Sequence, residues 1–406
     1  MSEIKHAELA ELRRTPNALA PHYSRFQVAE RLLLSGHSHQ AWPDVALDGQ
    51  IEAFQDAARD VDEKWARAFS KADEVRDGYR LFLGDPDGEI ALGANTHELV
   101  LRFLSALDLR RRPRLVTSAG EFHTLRRQLT RLAEAGVDVA ALPVDPVETL
   151  AERLASSIDA RTSAVLVSSV LFETSRVVPG LRHLAEACQA RGVELLVDAY
   201  HALGPVETPI HSLGLGSAWV TGGGYKYLQL GEGNCFLRLP PHAQSMRPVL
   251  TGWFAEFTEL AEEAQPGLVG YGPGAARFAG ATYDPTSHYR AARVFWFFEQ
   301  HRLSPALMQQ IYRHQVALLA AQFDALNASE SLITRDRRTP ADGFGGFLSL
   351  RSPRAGEFQR ALAERGVQTD SRGDYLRLGP APYLSDDQLV RAIDALGEVL
   401  RAAQRS

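Results

Sequence analysis

Two ionisable side chains near the middle of the sequence could do chemistry together. Asp198 ends the apolar run VELLVDA at 193–199, where an unpaired carboxylate is costly to bury, so a cation such as a protonated pyridine nitrogen is a fitting partner. Lys226 lies in GGGYKYLQLGEGN at 222–234, where glycines leave room for a flat ligand. A neutral lysine amine can form a Schiff base, and burial lowers its pKa. An acid and an amine of this kind, placed together, indicate a site for a planar heterocycle.

Each of these residues also has an ordinary structural explanation. A carboxylate after a strand is often the cap of the next helix, and a lysine in a glycine-rich loop is usually exposed. The pair favours the chemical interpretation over the two separate structural ones. A third feature is GANTH at 93–97, in which Asn95 and Thr96 follow a predicted strand and begin a predicted helix. Backbone N–H groups at such a helix start bind phosphate, and a plain N-cap explains this segment equally well.

The elements that must position these residues are short apolar strands separated by helical stretches. The strands are predicted at 89–93, 114–118, 137–144, 163–170, 193–199, 217–223 and 234–239. Helix-period segments of crossover length separate the first five. This alternation is typical of an α/β fold with a mainly parallel sheet covered on both faces. Ligands of such sheets bind beyond the carboxyl ends of the strands, which is where Asp198 and Thr96 lie.

Two further regions flank the predicted sheet. Residues 46–82 are predicted to be largely helical, with Asp44 as a candidate cap. Beyond Pro248 the pattern changes to long helical stretches, and then to strand, helix, strand and a terminal helix, as expected of a smaller α+β domain. The predicted division is an N-terminal segment that joins the small domain, a large domain and a small C-terminal domain, at 1–40, 41–285 and 286–406.

Composition restricts the class of protein. The 406 residues are 45% hydrophobic, with a net charge of −6, which argues against nucleic-acid partners because these need cationic surface. The two cysteines, Cys188 and Cys235, predict no disulfide framework. His37 and His39 have no third ligand nearby in the sequence and make a weak case for a metal. Without a signal-peptide pattern or an apolar span, we expect a soluble, cytoplasmic protein with no membrane partner.

The segments around Asp198 and Lys226 resemble the kynureninase branch of class V pyridoxal-phosphate enzymes. The family pattern is roughly D-x-x-H-A-x-G-x-V-E and then S-Y-K-Y-L-N-x-G-x-G, and this chain has DAYHALGPVE and then GGGYKYLQLGEG. The resemblance continues more weakly on both sides, from about Ser35 to the C-terminus. It implies the aspartate-aminotransferase-like fold type I, with a seven-stranded sheet in the large domain, and pyridoxal 5′-phosphate as the cofactor. The matching residues are Asp198, His201, Ala202, Gly204, Val206, Glu207, Tyr225, Lys226, Tyr227, Leu228, Gly231 and Gly233.

The resemblance also implies roles for residues near the cofactor ring. Lys226 forms the Schiff base and takes the substrate's α-proton, and Asp198 keeps the pyridine nitrogen protonated. His201 contacts the cofactor, and Phe122 in EFHTL stacks on its ring. Tyr225 binds the phosphate and relays protons. The ordinary alternatives are a satisfied buried histidine for His201 and a core aromatic for Phe122.

Further roles follow from the resemblance at the phosphate and at the substrate. Asn95 and Thr96 hold the cofactor phosphate, and Trp253, in GWF at 252–254, reaches the phosphate region of a neighbouring active site. Thr282 lies with the cofactor. Arg377, in YLRLGPAPYLS at 375–385, clamps the substrate α-carboxylate, since a guanidinium can bind a carboxylate through two N–H groups. The alternative for Arg377 is a surface ion pair with Asp374.

The chain departs from the family pattern mainly where the substrate would bind. Leu125 stands where kynureninases have an aspartate that helps to hold the cofactor. Asp284 stands in the segment that lies near the substrate's aromatic ring, and its carboxylate changes what the pocket can donate. Gly224 replaces the serine before the tyrosine–lysine pair. These departures concern the substrate more than the cofactor.

The expected function is kynureninase-like hydrolysis of a C–C bond in an amino acid, with release of alanine. Two alternatives stay open. One is another class V reaction on a different amino acid, namely transamination or cysteine desulfurase or β-lyase chemistry. The other is a non-catalytic protein that binds pyridoxal phosphate. Family enzymes are homodimers with active sites at the interface, and the resemblance implies the same here.

Overall fold

Helices and strands alternate along most of the chain, as the sequence pattern predicts. The computed structural model describes residues 8–259 and 267–405. Its α-helices in chain order are α1 (Leu9–Arg13), α2 (Val45–Arg59), α3 (Trp65–Leu83), α4 (Thr96–Ser105), α5 (His123–Glu134), α6 (Leu150–Ser156), α7 (Leu181–Ala190), α8 (Thr286–Gln300), α9 (Pro305–Ala325), α10 (Ala355–Ala363) and α11 (Asp386–Arg405).

The strands fall into a large sheet and smaller groups. In chain order they are β1 (Leu32–Leu33), β2 (Glu89–Gly93), β3 (Arg114–Ser118), β4 (Asp138–Leu142), β5 (Thr162–Ser168), β6 (Glu194–Asp198), β7 (Trp219–Gly223), β8 (Cys235–Leu239), β9 (Thr334–Arg335), β10 (Leu348–Arg351), β11 (Val367–Gln368), β12 (Asp370–Arg372) and β13 (Tyr375–Leu378). Short 3₁₀ helices at Trp253–Glu259 and Gly274–Phe278 precede α8.

The seven strands predicted from the sequence form one sheet. Their order is β2-β8-β7-β6-β5-β3-β4. The pairs from β4 across to β7 are parallel, and β8 is antiparallel to both of its neighbours. This confirms the predicted α/β class with a mainly parallel seven-stranded sheet. Because the carboxyl ends of parallel strands meet at one edge, Ser168 lies beside Asp198, and Asp198 lies beside Thr221.

The central strands are apolar because both faces of the sheet are covered. Every residue of β5 is buried. Side chains alternate between the faces of a strand, so Val165 and Val167 enter one hydrophobic core while Ala164 and Leu166 enter the other. Burying an aliphatic side chain of this size stabilises the fold by roughly 1.5–3 kcal/mol. The continuous apolar run therefore predicts a strand buried on both sides.

The C-terminal part forms a separate sheet that the N-terminal segment also contacts. β12, β13, β10 and β9 are antiparallel neighbours in that order. β1 pairs in parallel with β11, and Ser35 forms a parallel bridge with Gly379. The domain boundaries at residues 40 and 285 stay a prediction, and residues 1–7, 260–266 and 406 of these ranges lie outside the described residues.

The predicted helical cap at Asp44 is wrong in detail. Asp44 does precede α2, but its side chain makes no capping hydrogen bond. Its carboxylate instead accepts hydrogen bonds from the backbone N–H of Ser24 and Arg25 and from the Ser24 hydroxyl. The N-terminal segment folds back at this point and occupies the carboxylate, so a local sequence rule could not anticipate the partner.

Within the described ranges, no helix combines the length and apolar character that crossing a bilayer requires. The predicted cytoplasmic location stays a prediction.

A buried ion pair connects the turn after α3 to the antiparallel strand β8. Arg238 Nε lies 2.7 Å from Asp85 Oδ2, with both side chains under 5% exposed. Arg238 also donates to the carbonyls of Gly216 and Ala218. Asp85→Ala would leave this guanidinium buried without its counter-charge. We expect it to lower the free energy of unfolding by about 3–5 kcal/mol, as measured by urea denaturation. Asp87→Ala, at an exposed neighbour, is the control, and equal effects of the two substitutions would contradict this account.

Candidate active site

A cavity of about 240 Å³ opens at the carboxyl ends of the parallel strands. This is the edge where ligands of such sheets bind. Ser168 and Asp198 lie at the ends of β5 and β6, Phe122 follows β3, and Lys226 follows β7. The start of α4 closes another side. The lining also includes Ala94, Asn95, Thr96, Thr124, Leu125, Val170, Phe172, Tyr200, His201, Tyr225, Glu232, Gly233 and Cys235.

Lys226 and Asp198 share this cavity. Both are buried, which rules out the surface-lysine explanation. Burial lowers the pKa of the Lys226 amine to about 7, and the charge of Asp198 opposes part of this shift. Burial raises the pKa of Asp198. The carboxylate accepts one hydrogen bond, from the backbone N–H of Tyr200 at 2.8 Å, and no helix begins there. The amine is therefore available in its uncharged form close to an acid that needs a cationic partner.

His201 is in direct contact with the amine. Its Nε2 lies 2.8 Å from Lys226 Nζ. Burial lowers the pKa of this histidine, and the neighbouring Lys226 lowers it further, so the ring is neutral. Its Nδ1 is buried without a hydrogen-bond partner. The ordinary interpretation of His201 as a satisfied core histidine therefore fails, because one ring nitrogen faces the amine and the other is unpaired.

Aromatic rings surround the amine on several sides. Lys226 Nζ lies 4.6 Å from the centre of the Tyr200 ring, 5.2 Å from that of Phe122 and 5.9 Å from that of Tyr225. Phe122 packs edge-to-face against Phe172, with ring centres 5.3 Å apart. Phe122 thus presents an apolar surface to the cavity, as a residue that packs on a planar ring must.

The start of α4 forms the end of the cavity that suits an anion. Asn95 is the N-cap, and its side-chain oxygen accepts from the backbone N–H of Glu98 at 3.0 Å. Thr96 is the first residue of the ten-residue helix, and both residues line the cavity. The N-cap explanation is therefore correct, and it is compatible with anion binding because the helix start faces the cavity. Tyr225, whose ring is stacked on His39, lies in the same lining.

The sequence suggested that the glycines before Lys226 leave room for a ligand. In the structure they do not. A Cβ atom on Gly223 would lie 2.3 Å from the Tyr200 hydroxyl, and one on Gly224 would lie 2.2 Å from Leu230. The space that these glycines leave is filled by protein side chains. They are needed because Tyr200 and Leu230 pack directly on the backbone that leads to Lys226.

Arg377 lies close to the cavity and is already paired. It is buried, and its charge lowers the pKa of both Lys226 and His201. Its Nε and NH2 groups lie 2.8 and 2.5 Å from the two oxygens of Asp370. The predicted alternative partner, Asp374, is wrong, because β12 lies beside β13 and brings Asp370 opposite Arg377. The clamp for a substrate carboxylate stays a prediction.

Three predicted site residues do not line the Lys226 cavity of their own chain. Thr282 and Asp284 line a larger neighbouring cavity of about 1060 Å³, which shares Ala94 and Gly233 with the first. Trp253 is about half exposed, and its ring nitrogen donates to the Thr282 hydroxyl at 3.2 Å. Their assignment to the cofactor and the substrate stays a prediction.

Three residues near the cavity were given no part in the predicted site. Glu121 is buried just before Phe122, and its position beside that residue was the available signal. Tyr200 borders the amine. His37 was weighed as a metal ligand, but its Nε2 lies 2.8 Å from Asp370 Oδ1. Among residues 8–259 and 267–405, no three His, Cys, Asp or Glu side chains are grouped as a metal site.

The cavity residues fit pyridoxal phosphate. The neutral buried amine of Lys226 suits a bond to an aldehyde, and the Asp198 carboxylate suits a protonated pyridine nitrogen. The unpaired Nδ1 of His201 shows that polar capacity is still free in this buried site. Phe122 can pack on the ring, and the α4 start can accept the phosphate. Leu125, which replaces the expected aspartate, lines the cavity as an apolar side chain.

The lowered pKa of Lys226 predicts its reactivity. In the folded protein the amine loses its proton near pH 7, whereas an ordinary lysine does so near pH 10.4. We therefore expect Lys226 in cofactor-free protein to be acylated with a midpoint near pH 7, as followed by peptide mass spectrometry. The same peptide from urea-unfolded protein is the control and should show the ordinary lysine midpoint. A folded-state midpoint near that of the unfolded chain would contradict the burial argument.

Comparison with known sequences gives several enzymes as relatives. No protein-family profile matches the chain. It is 26% identical over 334 residues to isopenicillin N epimerase of Streptomyces clavuligerus, covering 78% of this chain and 81% of that protein. It is 23% identical to an uncharacterised aminotransferase of Bacillus subtilis, over 85% and 88% of the two chains. Human kynureninase is 28% identical over 180 residues, 40% of this chain and 37% of that one.

Solved structures show the same fold. A mutant of the protein C-DES with glycine covalently linked to its pyridoxal-phosphate cofactor has a TM-score of 0.81 at 15% identity, over 93% of this chain and 98% of that chain. A cysteine desulfurase of Thermococcus onnurineus has a TM-score of 0.78 at 16% identity, over 95% and 98% of the two chains. The chain therefore has the fold of fold-type I pyridoxal-phosphate enzymes, and in sequence it is similar to an isopenicillin N epimerase, an aminotransferase and a kynureninase.

Proposed function

We propose that the protein acts on an α-amino acid by breaking the Cα–H bond, with Lys226 as the residue that carries the cofactor and as the base. The observation that carries this proposal is the burial of the Lys226 amine, which lies 2.8 Å from His201 in the cavity that Asp198 also lines and whose pKa burial lowers to about 7. Pyridoxal phosphate, when bound, supplies an electron sink that makes the α-proton acidic. The chain's own residues must hold the ring, orient the substrate and move the proton.

Four residues hold the cofactor in this proposal. Asp198 keeps the pyridine nitrogen protonated, and Phe122 packs on the ring. Thr96 and the backbone at the start of α4 bind the phosphate, and Tyr225 joins them from the loop before Lys226. Burial supports this division of roles, because the carboxylate lies in the protein interior and the helix start borders the more open neighbouring cavity.

The groups around Lys226 Nζ transfer the protons in this proposal. A neutral amine can take the α-proton, and His201 Nε2 is close enough to accept a hydrogen bond from it. Burial raises the pKa of both Tyr200 and Tyr225, so these hydroxyls stay protonated and can donate hydrogen bonds as well as accept them. The groups around the amine are thus one base, Lys226, one neutral relay, His201, and two weakly acidic hydroxyls.

Arg377 is the proposed partner of the substrate carboxylate. Two of its five N–H groups bind Asp370, and another donates to the carbonyl of Phe172, a residue of the cavity lining. The remaining N–H groups are available to a carboxylate. Because Asp370 neutralises much of the charge, we propose that Arg377 orients the substrate more than it attracts it.

The burial of the two cysteines favours some class V reactions over others. The chain has two, and both are buried. Burial raises the pKa of each thiol to about 12, so neither is a thiolate that could accept sulfur at neutral pH. A desulfurase that carries sulfur on its own exposed cysteine is therefore disfavoured. Transamination, epimerisation and β-elimination need no protein thiol, and we propose a reaction of this group.

Hydrolytic C–C cleavage of the kynureninase type is the second candidate. The match between DAYHALGPVE and GGGYKYLQLGEG and the family pattern favours it, as does the protonated Tyr225 beside the amine. The similarity to kynureninase covers 40% of this chain, whereas the epimerase and the aminotransferase match 78% and 85% of it. The coverage therefore favours the first group of reactions.

We also propose a homodimer in which each chain completes its partner's site. Trp253 and Phe257 are exposed by 45% and 40%, and Val249, Leu250 and Leu268 beside them by more than 50%. An apolar patch of this kind marks an interaction surface. It adjoins the larger cavity lined by Thr282, which opens next to the α4 start and could receive groups from a second copy.

Lys226→Ala tests the proposed function. Because this amine carries the cofactor and takes the α-proton, we expect the variant to lose the visible absorbance of bound pyridoxal phosphate. We further expect turnover to fall at least 1,000-fold, on the order of what a nucleophile and base contribute together. Lys64→Ala, at a partly exposed position, is the matched control. A panel of amino acids, including cystine and kynurenine, then separates elimination, transamination and epimerisation from release of alanine.

Mixing inactive variants tests the shared site. If Thr282 and Trp253 serve the partner's cofactor, each site combines Lys226 of one chain with these two residues of the other chain. The Lys226→Ala chain then lacks the first part of a site, and the Trp253→Ala/Thr282→Ala chain lacks the second part. A mixed dimer then has one site with neither defect, so activity should return on mixing. Analytical ultracentrifugation gives the oligomeric state of each sample. A monomer in solution, or mixing without recovery, would overturn the shared-site proposal.

A further inference from the structure

A buried glutamate with no role in the proposed mechanism lies behind the ring-stacking residue. Glu121 is 1% exposed. Its Oε1 accepts a hydrogen bond from the Ser118 hydroxyl at 2.5 Å, and its Oε2 accepts one from the Ser168 hydroxyl at 2.6 Å. Ser118 ends β3 and Ser168 ends β5, which are adjacent in the sheet. One carboxyl group therefore joins the carboxyl ends of two central strands.

Glu121 is connected to both residues that are proposed to hold the ring, Phe122 and Asp198. Glu121 precedes Phe122 directly, so fixing its carboxyl group fixes the backbone that carries the stacking ring. On the other side, Ser168 lines the cavity and lies beside Asp198 in the β5–β6 register. The backbone N–H and the hydroxyl of Ser169 both donate to the Asp198 carbonyl. A continuous set of hydrogen bonds and strand pairs thus runs from Phe122 to Asp198.

The electrostatics around Glu121 are unusual for a structural carboxylate. Among the described residues, no cation forms an ion pair with it, and the charged group that acts on it is Asp198 at the end of β6. Burial raises the pKa of Glu121 to about 7, and Asp198 adds to the increase. Helix α5 contributes His123 and Arg126 at its exposed start, where they hydrogen-bond to each other. Two buried acids therefore lie near one another, and a cation between or beside them would stabilise both.

We propose that Glu121 is a positioning residue that fixes Phe122 against the ring and, through its charge, helps Asp198 to keep the bound cofactor protonated. This inference rests on the proposed function, because the cofactor supplies the positive charge. A purely structural role would need hydrogen-bond acceptors but no charge. Glutamine has the same shape and one side-chain oxygen, so replacing Glu121 by Gln separates the two roles.

The test is the pH titration of the visible absorbance of bound cofactor in Glu121→Gln. Removing a nearby negative charge disfavours a protonated cofactor, so we expect the midpoint to move to lower pH and the dissociation constant for pyridoxal phosphate to rise several-fold. The difference between the two proteins should vanish below about pH 7, where Glu121 itself takes up a proton. Glu121→Asp keeps the charge and should titrate like the unmodified protein. Glu134→Gln, at an exposed acid near the end of α5, is the control.

The outcomes separate this inference from the function on which it rests. If Lys226→Ala has the same spectrum as the unmodified holoprotein, the proposed function fails. If Lys226 is required but Glu121→Gln titrates like the unmodified protein, the charge role of Glu121 is overturned. Should Glu121→Gln not fold, Ser118→Ala decides. It removes one hydrogen bond, raises the pKa of Glu121 further, and should move the midpoint in the same direction by a smaller amount. An unchanged midpoint in Ser118→Ala would then overturn the inference.

Discussion

The burial of an uncharged amine beside a carboxyl group is the interaction on which the site depends. Taking Lys226 and Asp198 out of water disfavours both ionised forms, so the pKa of the amine falls and that of the acid rises. The fold maintains this arrangement because the parallel strands bring their carboxyl ends to one edge, where β6 ends in Asp198 and the loop after β7 carries Lys226. An amine that is neutral near pH 7 can bond to a carbonyl and can serve as a base. The same burial therefore suits the amine to both of its proposed roles.

The charged side chains around the cavity come from different parts of the chain and pair with one another. Arg377 on β13 is held by Asp370 on β12, and Asp370 is held in turn by His37 from the N-terminal segment. This pairing lowers the pKa of Asp370 and keeps a buried guanidinium compensated near Lys226. Glu121 differs from this set because its side-chain partners are two hydroxyl groups, and no cation of the described residues forms an ion pair with it. In the proposed function, the protonated cofactor ring would supply a positive charge nearby.

The protonation of the cysteine thiols and the larger neighbouring cavity bear on the proposed reaction. Cys235 lies in the cavity wall, and burial raises its pKa, so it acts as a small apolar group there. The larger cavity beside the α4 start is lined by Thr282 and Asp284 and shares part of its wall with the Lys226 cavity. In the proposed homodimer, a second copy would complete this side of the site.

Local patterns in the sequence were enough to predict the seven strands, their mainly parallel class and the positions of Asp198 and Lys226, because strand burial and strand-end chemistry depend on neighbouring residues. The partner of Arg377 could not be predicted in this way, since Asp370 and Asp374 are both close in sequence and the β12–β13 register selects between them. The function of the glycines before Lys226 was misjudged for a similar reason. Tyr200, which comes from another strand end, fills the space beside them. Contacts between distant segments set these details, and they arise only when the chain folds.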